Sequence, residues 1–90
     1  MRKTVITVMG KDTVGIIAKV SAVCAEKNVN IIDISQSVMQ DLFVMVMLTD
    51  TENLSERFTD FCARMDTLGK EIGVEIRVMQ EEIFNSMHRI

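Results

Sequence analysis

Apolar and polar positions alternate at the start of the chain, change period, and later alternate again. Residues 3–9 are rich in β-branched side chains and end at Gly10, which predicts a short strand followed by the loop Gly10-Lys11-Asp12-Thr13-Val14-Gly15. Ile16, Ile17, Val20, Val23 and Cys24 then recur at helical spacing, with Lys19, Ser21 and Glu26 off the stripe. That pattern predicts an amphipathic helix with Asp12 or Thr13 as N-cap, stopping near Asn28. From Asn30 the alternation returns. Ile32, Ile34 and Val38 point one way and Asp33, Ser35 and Ser37 the other, as in a half-buried strand of about ten residues. Gln40-Asp41 is the predicted hairpin turn. Residues 42–48 are apolar at every position, which suits a central strand covered on both faces.

A polar stretch follows, in which Asn53 and Glu56 have capping-box spacing and predict the start of a second helix. Its apolar face runs through Leu54, Phe58, Phe61, Met65, Leu68 and Ile72, and Gly73 closes it. Val74, Ile76 and Val78 alternate with Glu75, Arg77 and Met79 in a fourth strand, and residues 81–90 carry Ile83, Phe84, Met87 and Ile90 as the stripe of a short terminal helix. The order strand–helix–strand–strand–helix–strand predicts an α+β, ferredoxin-like βαββαβ fold. Both helices lie on one face of a four-stranded antiparallel sheet of spatial order 4-1-3-2. Residues 1–80 form the domain and 81–90 a C-terminal helical extension.

Composition narrows the function. Ninety residues allow one core, and with 48% hydrophobic and 26% charged residues the chain should fold. A net charge of −3 has the wrong sign for neutralising phosphates, so no nucleic acid is expected as partner. No apolar run approaches the roughly 18 residues of a membrane span, and the start is too short in apolar residues for a signal peptide; the expected location is the cytoplasm, with no membrane partner. Cys24 and Cys62 belong to no metal-ligand cluster and read as buried thiols in a reducing compartment. His88, the single histidine, has no evident orienting carboxylate and reads as a solvated tail residue. Neither metal nor cofactor is expected.

Fold alone does not choose among an RNA-binding module, a metal chaperone, an acyl phosphate hydrolase and a ligand sensor. The strands offer Phe43 as their one aromatic, too few to stack bases, and the first loop holds no thiolates for a chaperone. An acylphosphatase-like hydrolase would want an arginine in its phosphate cradle, where this loop has Lys11. The chain is therefore read as a non-enzyme. The loop does suit a small zwitterion: backbone amides near Gly15 and Ile16 favour a carboxylate, and Asp12 stands beside them for an ammonium group. A purely structural role for Asp12 as helix cap and Gly15 as a packing glycine fits these residues equally well.

Gly10-Lys11-Asp12-Thr13-Val14-Gly15-Ile16-Ile17-Ala18, followed at a helix's distance by Asn28-Val29-Asn30-Ile31-Ile32-Asp33-Ile34-Ser35-Gln36, resembles the ACT domain, with its Asp-x-x-Gly at the first helix and Asn-Ile at the second strand. Asp33-Ile34-Ser35-Gln36, Phe43-Val44-Met45 and Leu68-Gly69-Lys70-Glu71-Ile72-Gly73-Val74 are similar to short stand-alone ACT proteins related to the glycine cleavage repressor. The resemblance implies a regulatory homo-oligomer that binds a small molecule, an amino acid by preference, at a subunit interface and modulates a partner protein yet to be identified. It implies ligand contacts from Asp12, Gly15, Asn30 and Ile31. The alternative is an assembly module without ligand. The all-apolar third strand and the terminal stripe together predict a homodimer using the open sheet face, the terminal helix or both.

Overall fold

The computed structural model describes residues 1–87. Its elements are β1 (Lys3–Lys11), α1 (Ile16–Glu26), β2 (Asn30–Met39), β3 (Leu42–Asp50), α2 (Phe58–Ile72), β4 (Val74–Gln80) and α3 (Glu81–Met87). The four strands form one antiparallel sheet in the order β2-β3-β1-β4, the expected ferredoxin-like arrangement. His88 and Ile90, both read from the sequence as part of the terminal segment, lie outside the described residues.

Register assigns the two faces. Ile6 pairs with Met47 and Val78, and Val8 with Met45 and Ile76; these side chains meet Val20, Val23, Cys24, Phe61 and Met65 of the helices in the core. Phe43, Met45 and Met47 therefore point to the helices, and Leu42, Val44, Val46 and Leu48 to the opposite face. The second strand is not half-buried as predicted. It is an edge that the helices cover incompletely, so Ile31 is its one partly buried residue, and Ile34 and Val38 are exposed on the helix side. Ile32 is the extra residue of a β-bulge, because Ile31 pairs with Thr49 and Asp33 with Leu48.

Three boundaries differ from the sequence reading, each for a local reason. β1 runs past Gly10 to Lys11, since Gly10 still pairs with both Phe43 and Val74. α1 begins after Gly15 rather than after Asp12 or Thr13: the Asp12 amide donates to the Asp41 carbonyl at 2.8 Å, which ties the loop to the hairpin. α2 begins at Phe58, not beside Asn53. The residues before it are bound to the end of α1 instead. The Asn53 carbonyl accepts from the Asn28 side chain, Ser55 donates twice to the Lys27 carbonyl, and Glu56 pairs with Lys27 at 3.2 Å.

At the same end of the sheet, Thr4, Thr49 and Thr51 are buried with their hydroxyls satisfied. Thr4 and Thr51 share a hydrogen bond of 2.8 Å, and Thr49 donates to the Thr4 carbonyl at 2.8 Å. α2 approaches β4 closely at Gly69, where a β-carbon would lie 2.6 Å from the Val74 carbonyl oxygen. In an open helix Gly→Ala adds stability through helix propensity. Here Gly69→Ala is expected to lower it by about 1–3 kcal/mol, the usual range for overpacking, as read by urea denaturation. Unchanged or raised stability would show that α2 can move away from the sheet.

Burial pushes the Cys24 thiol up from 9.0 to about 11, and burial also raises Cys62. The unfolded chain thus releases the Cys24 proton near pH 9 while the folded chain keeps it. Stability owed to this group is intact below pH 9 and declines as pH rises toward 11. A thiol reagent at pH 8 should modify half-buried Cys62 in the folded protein and Cys24 only on unfolding; equal rates would place Cys24 within reach of solvent.

Candidate ligand site

Gly15 sets the geometry of the β1–α1 loop. Its backbone is left-handed, with φ 89° and ψ 6°, and it is the N-cap of α1. The nearest atom to a β-carbon built there is Lys19 Cε at 3.8 Å, so space is available and the obstacle is the conformation itself. Left-handed backbone costs other residues about 1–2 kcal/mol. The Gly15 carbonyl accepts from the Lys19 amide at 3.0 Å and starts the helical ladder. The amides of Ile16, Ile17 and Ala18 precede that ladder, and Gly15 has no side chain to cap them. They border a cleft of about 260 Å³ between the start of α1 and β2, lined also by Asp12, Thr13, Gln36, Val38 and Phe43. Positive helix-end potential and an exposed carboxylate thus lie side by side.

Asp12 and Gly15 are brought together as the sequence predicts. Asn30 and Ile31 are not. They open β2 at the opposite end of the sheet, where Asn30 pairs with Asp50 and Ile31 with Thr49. Six residues separate Asn30 from Gln36, a distance of roughly 20 Å along a strand. Asn30 instead borders a second cleft of about 190 Å³, with Asn28, Asp50 and Asn53. The Asp50 carboxylate there accepts from the Glu52 and Arg2 amides, and those hydrogen bonds hold it below the usual carboxylate range. Ile31 packs partly against the core, and the exposed Asn30 side chain makes no hydrogen bond among the described residues.

Gln36 was missed by the sequence reading. Its signal was present: it occupies the apolar phase of β2 between Ile34 and Val38, and an amide in that phase points into the cleft. Among the described residues no group of three or more His, Cys, Asp or Glu could hold a metal ion, and no helix is long and apolar enough to cross a membrane.

The ACT domain family profile matches residues 2–79. The chain belongs to the ACT-domain family. It is 50% identical over 88 residues to a UPF0237 protein of Clostridium acetobutylicum, covering 98% of this chain and 99% of that one. A UPF0237 protein of Methanococcus maripaludis is 48% identical over 90 residues, covering both chains completely. Among solved structures, an ACT domain protein from Streptococcus pneumoniae superposes with a TM-score of 0.80 at 36% identity, over 92% of this chain and 93% of that one. A putative glycine cleavage system transcriptional repressor superposes with a TM-score of 0.74 over 88% of this chain and 45% of that one; at 23% identity this likeness concerns the fold. The expected kinship with short ACT proteins therefore stands. ACT domains are regulatory modules, and in this ACT-domain chain the loop that carries the family resemblance borders the cleft at Gly15.

Proposed function

We propose that this ACT-domain chain is a non-catalytic, amino-acid-binding regulator that works as a homodimer in which each ligand site draws residues from both chains. Residues 1–80 are the binding unit in this reading, and a regulated partner protein senses the loaded state. The supporting observation is the division of the candidate site: Asp12 and Gly15 lie at one end of β2, Asn30 and Ile31 at the other. An antiparallel pairing of two β2 edges about a two-fold axis near Ile34 brings the second copy's Asn30 beside the first copy's Gly15 loop. β2 is suited to such pairing. It is an exposed edge of ten residues with apolar Ile34, Val38 and Met39, and it carries neither the lysine nor the proline that blunts an edge.

In that seam the ligand carboxylate meets the first amides of α1, its ammonium group meets Asp12, and Asn30 of the other copy supplies an amide to either. A ligand held by both chains stabilises the pair by mass action, which turns amino-acid concentration into a population of assembled protein. The second reading is an assembly module with a vestigial site. It draws support from the small volume of the single-chain cleft, about 260 Å³ against the roughly 300–1,000 Å³ of typical ligand pockets.

Calorimetric titration with each of the twenty amino acids tests the choice, and a saturable isotherm for one of them is expected. Asp12→Ala should weaken that binding by about 1.5–3 kcal/mol, the range for a charge-assisted hydrogen bond. Asn30→Ala should weaken it as well. Mixing equal amounts of the two variants is expected to recover about a quarter of the sites, since half the dimers are mixed and each mixed dimer has one intact site. No recovery on mixing would place the site within one chain. Silence from all twenty amino acids would favour the assembly module.

A further inference from the structure

The sheet face opposite α1 and α2 has a surface that ligand binding at the β2 edge does not use. α3 follows β4 directly and lies against β1 and β4, with Val5 buried on that side of the sheet. Among the described residues it does not reach β3. Val44 and Val46 consequently floor a groove of about 370 Å³ walled by Met9, Met79, Phe84 and Met87. Beside the groove α3 presents an apolar ridge, with Ile83 53% and Met87 62% exposed. Arg77 and Glu75, an ion pair, stand on the same face in register with Thr7 and Met9.

We propose that a second copy of this chain covers the face, the α3 ridge of each copy seated in the Val44–Val46 groove of the other. A two-fold interface requires one patch to contain its own complement. This patch holds both a ridge and a groove, and both a cation and an anion. Flexible methionine side chains on three walls let the two copies adjust to each other. Four strands of about nine residues, at ~4.8 Å spacing and ~3.3 Å per residue, give a face of roughly 570 Å². α3 covers roughly 100 Å² of it. Two such faces meeting remove roughly 900 Å² from water, and the exposed flanks of the two seated α3 ridges bring the total to about the 1,000 Å² that a specific interface needs. The β2 edge stays free, so edge pairing and face pairing together build a dimer of dimers.

The test combines sedimentation with nuclear magnetic resonance on a mixture of methyl-labelled and unlabelled full-length protein. Contacts between copies are expected from the Met87 methyl to the Val44 and Val46 methyls. Met87→Glu alters an exposed side chain and leaves the core intact, and Val46→Glu blocks the groove floor; each should halve the assembled mass with an unchanged circular dichroism spectrum. The proposal is overturned by a monomeric wild type, by contacts between copies confined to β2, or by wild-type mass in both variants. It is also overturned if added decanoate shifts the groove methyls at constant mass, which would assign the groove to an apolar small molecule. Loss of face pairing leaves the Asp12 and Asn30 mixing experiment unaffected, so the two readings fail separately.

Discussion

Seven consecutive apolar side chains, residues 42–48, project alternately to both faces of a sheet whose crossover helices lie on one face only. Much of the architecture answers that imbalance. Phe43, Met45 and Met47 sit under α1 and α2 and align with Ile6 and Val8 of β1, which fixes the register of the central strand pair. Val44 and Val46 face the other way, and among the described residues α3 is the one helix that crosses to their side. A helix of seven residues is too short to be stable alone and persists because it docks on the sheet.

The two ends of the sheet differ in how their polar groups are used. At the Asp50 end nearly everything is committed: the threonine trio, the Asp50 carboxylate on two amides, the Met1 amino group on Glu52, and the Lys27–Glu56 pair joining α1 to the approach to α2. At the Gly15 end one backbone hydrogen bond, from Asp12 to Asp41, ties the loop to the hairpin, and the first amides of α1 remain open toward the cleft. Bound polar groups make one end firm, and the other end leaves the first amides of α1 bordering a cleft.

Periodicity made most of the fold legible. The shift from alternating to helical spacing and back identified every element, and the unbroken run at β3 identified its central place. Helix starts were harder to read, because both depend on hydrogen bonds between residues far apart in sequence. Asn53 and Glu56 have capping-box spacing, yet the Asn53 carbonyl and the Glu56 carboxylate are held by Asn28 and Lys27, about 25 residues or more away. Two of the four candidate ligand residues, Asp12 and Gly15, share a loop and were legible as a pair. Strand direction decides where Asn30 lies, and residue types alone do not carry that information.

The bulge at Ile32 divides β2 into two lengths with different duties. Beyond it, residues 33–39 stay in step with β3, and a strand laid on the outer edge there finds donors and acceptors at regular intervals. Before it, Ile31 keeps its place against the core, and the extra residue breaks the rhythm of the ladder and sharpens the local twist. Asn30 therefore stands before the bulge, paired with Asp50 at the far end of the strand. One inserted residue thus divides the edge into a long stretch in step with β3 and a short one whose Ile31 stays with the core.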